Sequence, residues 1–295
     1  MSDTAGGYYV PHGTKWPILG SIALTLMMAG FASSLPTHNE SGTFGGNGVY
    51  VMGVGFCILL VMLFGWFGTV IRESEAGTYN AQVDRTFRWA MMWFIFSEVM
   101  FFAAFFGTLF YARQLSVPWL AGEGNNVMTN ALLWPGFEGT WPTNGPGDMG
   151  GTFQAMHAWG LPAINTLLLL SSGVTITIAH WGLKEGNRKK LITWLAATVL
   201  LGFLFLICQV VEYSEAYAEN LTLGSGMYGT TFFMLTGFHG MHVTLGATML
   251  AVILVRCIKG HFTDEHHFAF EAAAWYWHFV DVVWLGLFIF VYWLI

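Results

Sequence analysis

Seven apolar runs, each long enough to cross a bilayer, constrain this chain more than any other feature. They occupy residues 17–35, 48–71, 87–111, 158–180, 191–212, 227–256 and 268–293. A hydrocarbon core of about 30 Å needs about 20 apolar residues as a helix. Only 9% of the residues are charged, while 55% are hydrophobic and Phe and Trp number 26 and 14. Soluble proteins carry roughly 25% charged residues, so this chain lacks the polar surface to be dissolved in water. The expected fold class is an all-α membrane protein, a seven-transmembrane-helix bundle forming a single membrane domain over 1–295.

Lys and Arg set the orientation. Lys15 precedes the first run, and Arg72, Arg85 and Arg88 lie between the second and third. Lys184, Arg188, Lys189 and Lys190 separate the fourth and fifth, and Arg256 and Lys259 the sixth and seventh. Of the eleven basic residues only Arg113 falls on the opposite side. The positive-inside rule therefore puts the N-terminus in the cytoplasm and the C-terminus outside. The one long external loop, 113–156, is rich in Gly, Pro, Asn and Trp and is read as irregular, with Trp134 and Trp141 suited to the headgroup level. The run after Lys15 is too long for a signal peptide and has no small-residue cleavage site. Cys57, Cys208 and Cys257 have no CxxC spacing and read as packing residues. A net charge of −6 gives no basic footprint for nucleic acid.

Within these runs the informative residues are polar. Glu98 stands among seven apolar residues in "FIFSEVMFF", about 17 Å along its helix and so near the bilayer midplane. An acid there costs at least ~2.5 kcal/mol to insert, and desolvation disfavours its charged form. Its helical neighbours Phe94, Ile95, Phe101 and Phe102 offer no counter-charge. Two readings stand: a proton-active or regulatory group, or a protonated acid bonded to a backbone carbonyl or to Ser97. In the last run Glu271, Trp275, His278 and Asp281 share one helix face. Thr236, His239 and His242 share another, and Gln209 and Glu212 are three apart in the fifth run. These faces suit interhelical hydrogen bonding, worth about 0.6 kcal/mol per bond. His239, His242 and His278 also have the chemistry to ligate haem iron or copper. His261, His266 and His267 read as headgroup or partner contacts in a cytoplasmic turn. Arg72 and Arg88 flank one short loop, and two guanidiniums at one interface can chelate a phosphate.

The segments "FIFSEVMFFAAFFGTLFYA", "SSGVTITIAHWGLKEGNRK", "GFHGMHVTLGATML" and "HHFAFEAAAWYWHFVDVVWL" resemble subunit III of haem–copper cytochrome c oxidase, aa3-type. The likeness runs from "KWPILGS" at Trp16 to the C-terminus. It implies a non-catalytic subunit with no haem and no metal of its own, beside subunit I, which carries the haems, the copper centre and the proton routes. It further implies subunit II in the same complex, with cytochrome c as the electron donor to that complex. It also implies two helices diverging from five to leave a cleft filled with phospholipid. The family's carbodiimide-reactive membrane carboxylate matches Glu98. Its lipid-binding positions match Trp66, Arg72, Glu73, Arg88, Arg256, Lys259 and His261, with Phe67 standing where some members have a second Trp.

The implied role is to keep proton uptake into subunit I fast, protect the metal centre from turnover-linked inactivation, and hold lipid along an oxygen access route. Loop length favours a bacterial inner membrane over a mitochondrial one. Two other classes remain consistent with composition. One is an independent proton-coupled carrier using Glu98 with the His278–Asp281 face. The other is a haem- or copper-bearing membrane oxidoreductase.

Overall fold

The structure is a computed structural model that describes residues 13–35, 44–148 and 150–295. Seven helical stretches are long and apolar enough to span a membrane. The chain forms two compact units, Met1–Phe87 and Arg88–Ile295.

The first unit is built on α1 (Trp16–Ser34) and α2 (Asn47–Glu75). They meet through glycines, because without a hydrophobic drive in lipid, helices associate where small residues let backbones approach. A Cβ on Gly30 would lie 2.4 Å from the Met52 nitrogen, and one on Gly55 2.8 Å from the Ala23 carbonyl oxygen. Gly53, two residues from Gly55, has open space around it. Gly55→Leu is therefore expected to cost ~1–3 kcal/mol by overpacking, and Gly53→Leu almost nothing. Melting of the two variants in one detergent checks this; equal melting temperatures would mean the glycine seam does not hold α1 to α2.

The second unit takes in most of α3 (Ala81–Tyr111), then α6 (Leu161–Lys184), α7 (Arg188–Ala218), α8 (Gly226–Lys259) and α9 (Phe268–Leu287). Its core is one cluster of apolar side chains centred on α9, whose Trp277, Val280 and Leu287 are fully buried. Local signals set the ends. Asn187 caps α7, its Oδ1 accepting from the Lys190 backbone N–H at 3.1 Å. Gly260, at φ 80°, closes α8 in the left-handed conformation, with the His261 N–H returning to the Arg256 carbonyl.

The seventh span runs to Trp293, as expected, through a final π-helical turn Phe288–Trp293. The third does not stop at 111. It passes through a π-helical turn, Ala112–Ser116, into α4 (Val117–Leu120). Pro118 has no N–H to give and its ring crowds the preceding turn, and the wider π turn before it relieves both. The external loop also contains α5 (Val127–Leu133). Further along, the loop is bound rather than free. Thr143 accepts from the Tyr228 N–H at 3.0 Å, Asn144 donates to Asp148 and to the Gly151 carbonyl, and Trp141 meets the Tyr228 ring edge-on.

Candidate functional site

Polar groups inside the second unit are paired helix to helix. Thr175 on α6 bonds Thr198 on α7 at 2.8 Å, and Tyr213 on α7 bonds Thr236 on α8 at 2.8 Å. Tyr292, beyond α9, donates to Glu212 on α7 at 2.5 Å. The indoles of Trp277 and Trp284 donate to Ser172 and Thr166 on α6. The His239 Nε2–H donates to the Val280 carbonyl at 3.2 Å, its ring enclosed by Phe205 and Trp284. His278 is half exposed, its Nδ1 3.7 Å from Asp281 Oδ2 and its Nε2 3.4 Å from Thr177. Asp281 fits only because position 173 is glycine, where a Cβ would lie 2.6 Å from Oδ2. The amide of Gln209 on α7 is buried and has no hydrogen-bond partner among the described residues.

Glu98 has a partner that its own helix did not reveal. Its Oε2 lies 2.8 Å from Nε2 of His242 on α8. The Ser97 hydroxyl instead donates to the Phe94 carbonyl. On its other side the His242 Nδ1–H donates to the Phe238 carbonyl at 2.6 Å. With that donor committed, neutral His242 presents a lone pair at Nε2, and a lone pair facing a carboxylate would repel it. The pair therefore holds one proton along the 2.8 Å line, as acid with imidazole or as carboxylate with imidazolium. Phe101, Phe102 and Tyr276 wall the imidazole, so the proton sits in an apolar shell. His239 and His242 thus point at different partners rather than at a common centre.

The residues matched to lipid positions are spread over both units. In the first, Trp66 is exposed and stacked on Phe67, Arg72 donates to Thr69, and Glu73 accepts from the Tyr79 hydroxyl at 2.7 Å. In the second, Arg88 pairs with Glu271 and lies over the Phe268 ring, while Arg256 is buried with its guanidinium 4.4 Å from the centre of the Phe262 ring. Lys259 is exposed in the last turn of α8, and the His261 side chain is half-buried just beyond it. The arginines Arg88 and Arg256 are therefore engaged with protein groups as well as placed at helix ends.

The protein-family model described as "Cytochrome c oxidase subunit III" matches residues 7–125 and 129–295. This chain belongs to the cytochrome c oxidase subunit III family. It is 40% identical over 294 residues to cytochrome c oxidase subunit 3 of Carassius auratus, with 99% of each chain covered. The same identity and coverage hold against cytochrome c oxidase subunit 3 of Gadus morhua and of Squalus acanthias. A subunit III is part of an oxidase complex with other subunits, in keeping with a multi-pass membrane fold.

His180 is the residue the sequence reading passed over. It lies near the end of α6, against Glu271 of α9 and His267 just before it. The signal was present in "SSGVTITIAHWGLK", where an imidazole stands one turn before the interfacial Lys184.

Proposed function

We propose that this chain is an accessory subunit III that supports electron transfer from cytochrome c to oxygen without carrying haem or copper of its own. Haem and copper belong to the partner subunits, with subunit I as its main contact and subunit II in the same complex. Its work is to stabilise subunit I, sustain proton uptake and bind phospholipid. Candidate lipid contacts are Trp66, Arg72 and Glu73 on the first unit, and Arg88, Arg256, Lys259 and His261 on the second. The same reading puts the N-terminus in the cytoplasm and the C-terminus outside, in a bacterial inner membrane. The orientation rests on the basic residues at helix ends. The bacterial assignment rests on the length of the external loop, since the relatives compared above are fish.

One observation supports the functional role of Glu98: its 2.8 Å contact with His242, whose ring packs against Phe101 and Phe102. Such a pair can exchange a proton locally, but the hydrogen bonds described here do not continue it into a chain along α3. A tuning role is therefore preferred to a relay of pumped protons, and to a carrier mechanism. Glu98→Gln is expected to leave assembly and most electron transfer intact and to abolish carbodiimide labelling of this chain. Proton uptake and labelling in the assembled variant oxidase check it; complete loss of proton pumping with normal assembly would contradict the tuning role.

A further inference from the structure

Several polar atoms buried in the second unit without a hydrogen-bond partner among the described residues gather at one end of α6 and α7. They are the oxygen and nitrogen of the Asn165 amide, the same two atoms of Gln209, and Oε2 of Glu212. Two contacts fix the antiparallel register of these helices. Thr175 bonds Thr198 at 2.8 Å, and a Cβ on Gly182 would lie 2.8 Å from the Leu191 nitrogen. Carried along both helices, that register brings Asn165 level with Gln209 to within about 1.5 Å, one residue's rise. Both lie on buried faces, Asn165 in series with Leu169 and Ser172, and Gln209 between Phe205 and Glu212.

The chemistry of these atoms selects what satisfies them. Asn165 and Glu212 are fully buried within this chain and Gln209 is 6% exposed, so neither a partner subunit nor a lipid reaches them. Neighbouring hydroxyls are committed elsewhere. Thr166 donates to the Pro162 carbonyl and accepts from the Trp284 indole, and Tyr292 donates to Oε1 of Glu212. Two NH2 groups need acceptors and two amide carbonyls need donors, with a carboxyl oxygen in the same set. A cation would serve the oxygens and repel the amide N–H groups. An anion would do the reverse, and an apolar guest would serve neither. Water both donates and accepts, and a buried water typically makes about 3 hydrogen bonds to groups left unsatisfied by the protein.

A route to bulk solvent lies beside Tyr292. This residue stands on the π-helical turn Phe288–Trp293 and is only 1% exposed, yet it lines a cleft of about 470 Å³ with Gln154, His157, Trp159 and Trp293. We propose that Asn165, Gln209 and Glu212 form a binding site for about two internal water molecules, which exchange with bulk water past Tyr292. The waters tie the start of α6 to the last turns of α7 through hydrogen bonds that the side chains do not make directly. They also give Glu212 a hydrated neighbour inside an otherwise apolar bundle. The site uses none of the residues assigned above to the Glu98 pair or to lipid.

The test is an electron cryomicroscopy map of the assembled oxidase in lipid nanodiscs, at a resolution where ordered waters are seen. Density is expected within hydrogen-bond distance of both amides and of Glu212 Oε2. Direct bonds from Asn165 to Gln209 or from Gln209 to Glu212, with no density between the side chains, would overturn the proposal. Radiolytic footprinting in isotopically labelled water gives a second readout, because hydroxyl radicals form where water is bound. Phe205 and Tyr292 are as buried as Trp277, yet they are expected to take up label well above it. In the double variant Asn165→Leu, Gln209→Leu that uptake is expected to fall severalfold. Equal uptake in variant and wild type, or wild-type uptake no higher than at Trp277, would count against the site. Co-purification of the other oxidase chains reports assembly separately, and the wild-type map decides the matter if the variant does not assemble.

Discussion

Trp277→Ala is expected to destabilise the second unit by ~3–5 kcal/mol, the range for removing a large buried aromatic. The indole is fully buried, and its nitrogen donates to Ser172 at 2.8 Å. Its ring lies in a slot made by two glycines on different helices. A Cβ on Gly202 of α7 would come within 2.7 Å of the ring, and one on Gly246 of α8 within 2.9 Å. One side chain of α9 thus keys three other helices. Lipid tails are as apolar as the ring, so the loss is mainly of dispersion contacts that nothing else can make. Trp277→Phe keeps part of the packing and is expected to cost less, although the hydrogen bond is gone. Unfolding of the detergent-solubilised chain measures both; a loss below ~1 kcal/mol for Trp277→Ala would mean the slot collapses and the glycines are incidental.

His242→Leu is the second large effect, and it differs in kind. It leaves Glu98 facing apolar rings with no acceptor for its proton. An unsatisfied buried polar group costs ~1–3 kcal/mol. Glu98→Gln should cost less, because an amide N–H can still donate to the His242 lone pair. The two substitutions should also be strongly non-additive, since they remove the same bond. Labelling gives an independent readout. His242→Leu removes the imidazole that lies 2.8 Å from the Glu98 carboxyl, so a carbodiimide labelling rate different from that of wild type is the expected result. Unchanged labelling would show that His242 takes no part in the state of Glu98.

Some of this was legible in the sequence because membranes impose simple rules. Seven spans and an all-helical fold followed from run length and the scarcity of charge. The polar stripes on the fifth, sixth and seventh spans do face inward for Glu212, His239, His242 and Asp281, which are all buried. What periodicity cannot supply is the partner across a helix interface. Glu98 seemed unaccompanied because its own turns hold only aromatics, whereas His242 is 144 residues away in the chain. For the same reason His267 read as a headgroup or partner contact and His180 went unremarked, since the two meet only once α6 and α9 are packed. The loop 113–156 was read as irregular from its Gly, Pro, Asn and Trp, whereas a π turn, Ala112–Ser116, carries the helix on to Leu120.

The most direct measurement of the central claim is purification of the tagged chain from native membranes in mild detergent, with an optical spectrum and a count of haem and copper. The account predicts that haem and copper arrive with larger partner chains and stay with those chains when this one is stripped away. Haem or copper remaining on the isolated chain would contradict it and return His239, His242 and His278 to consideration as ligands. A folded, colourless chain purifying without partners would contradict it as well, and would favour the carrier reading of Glu98.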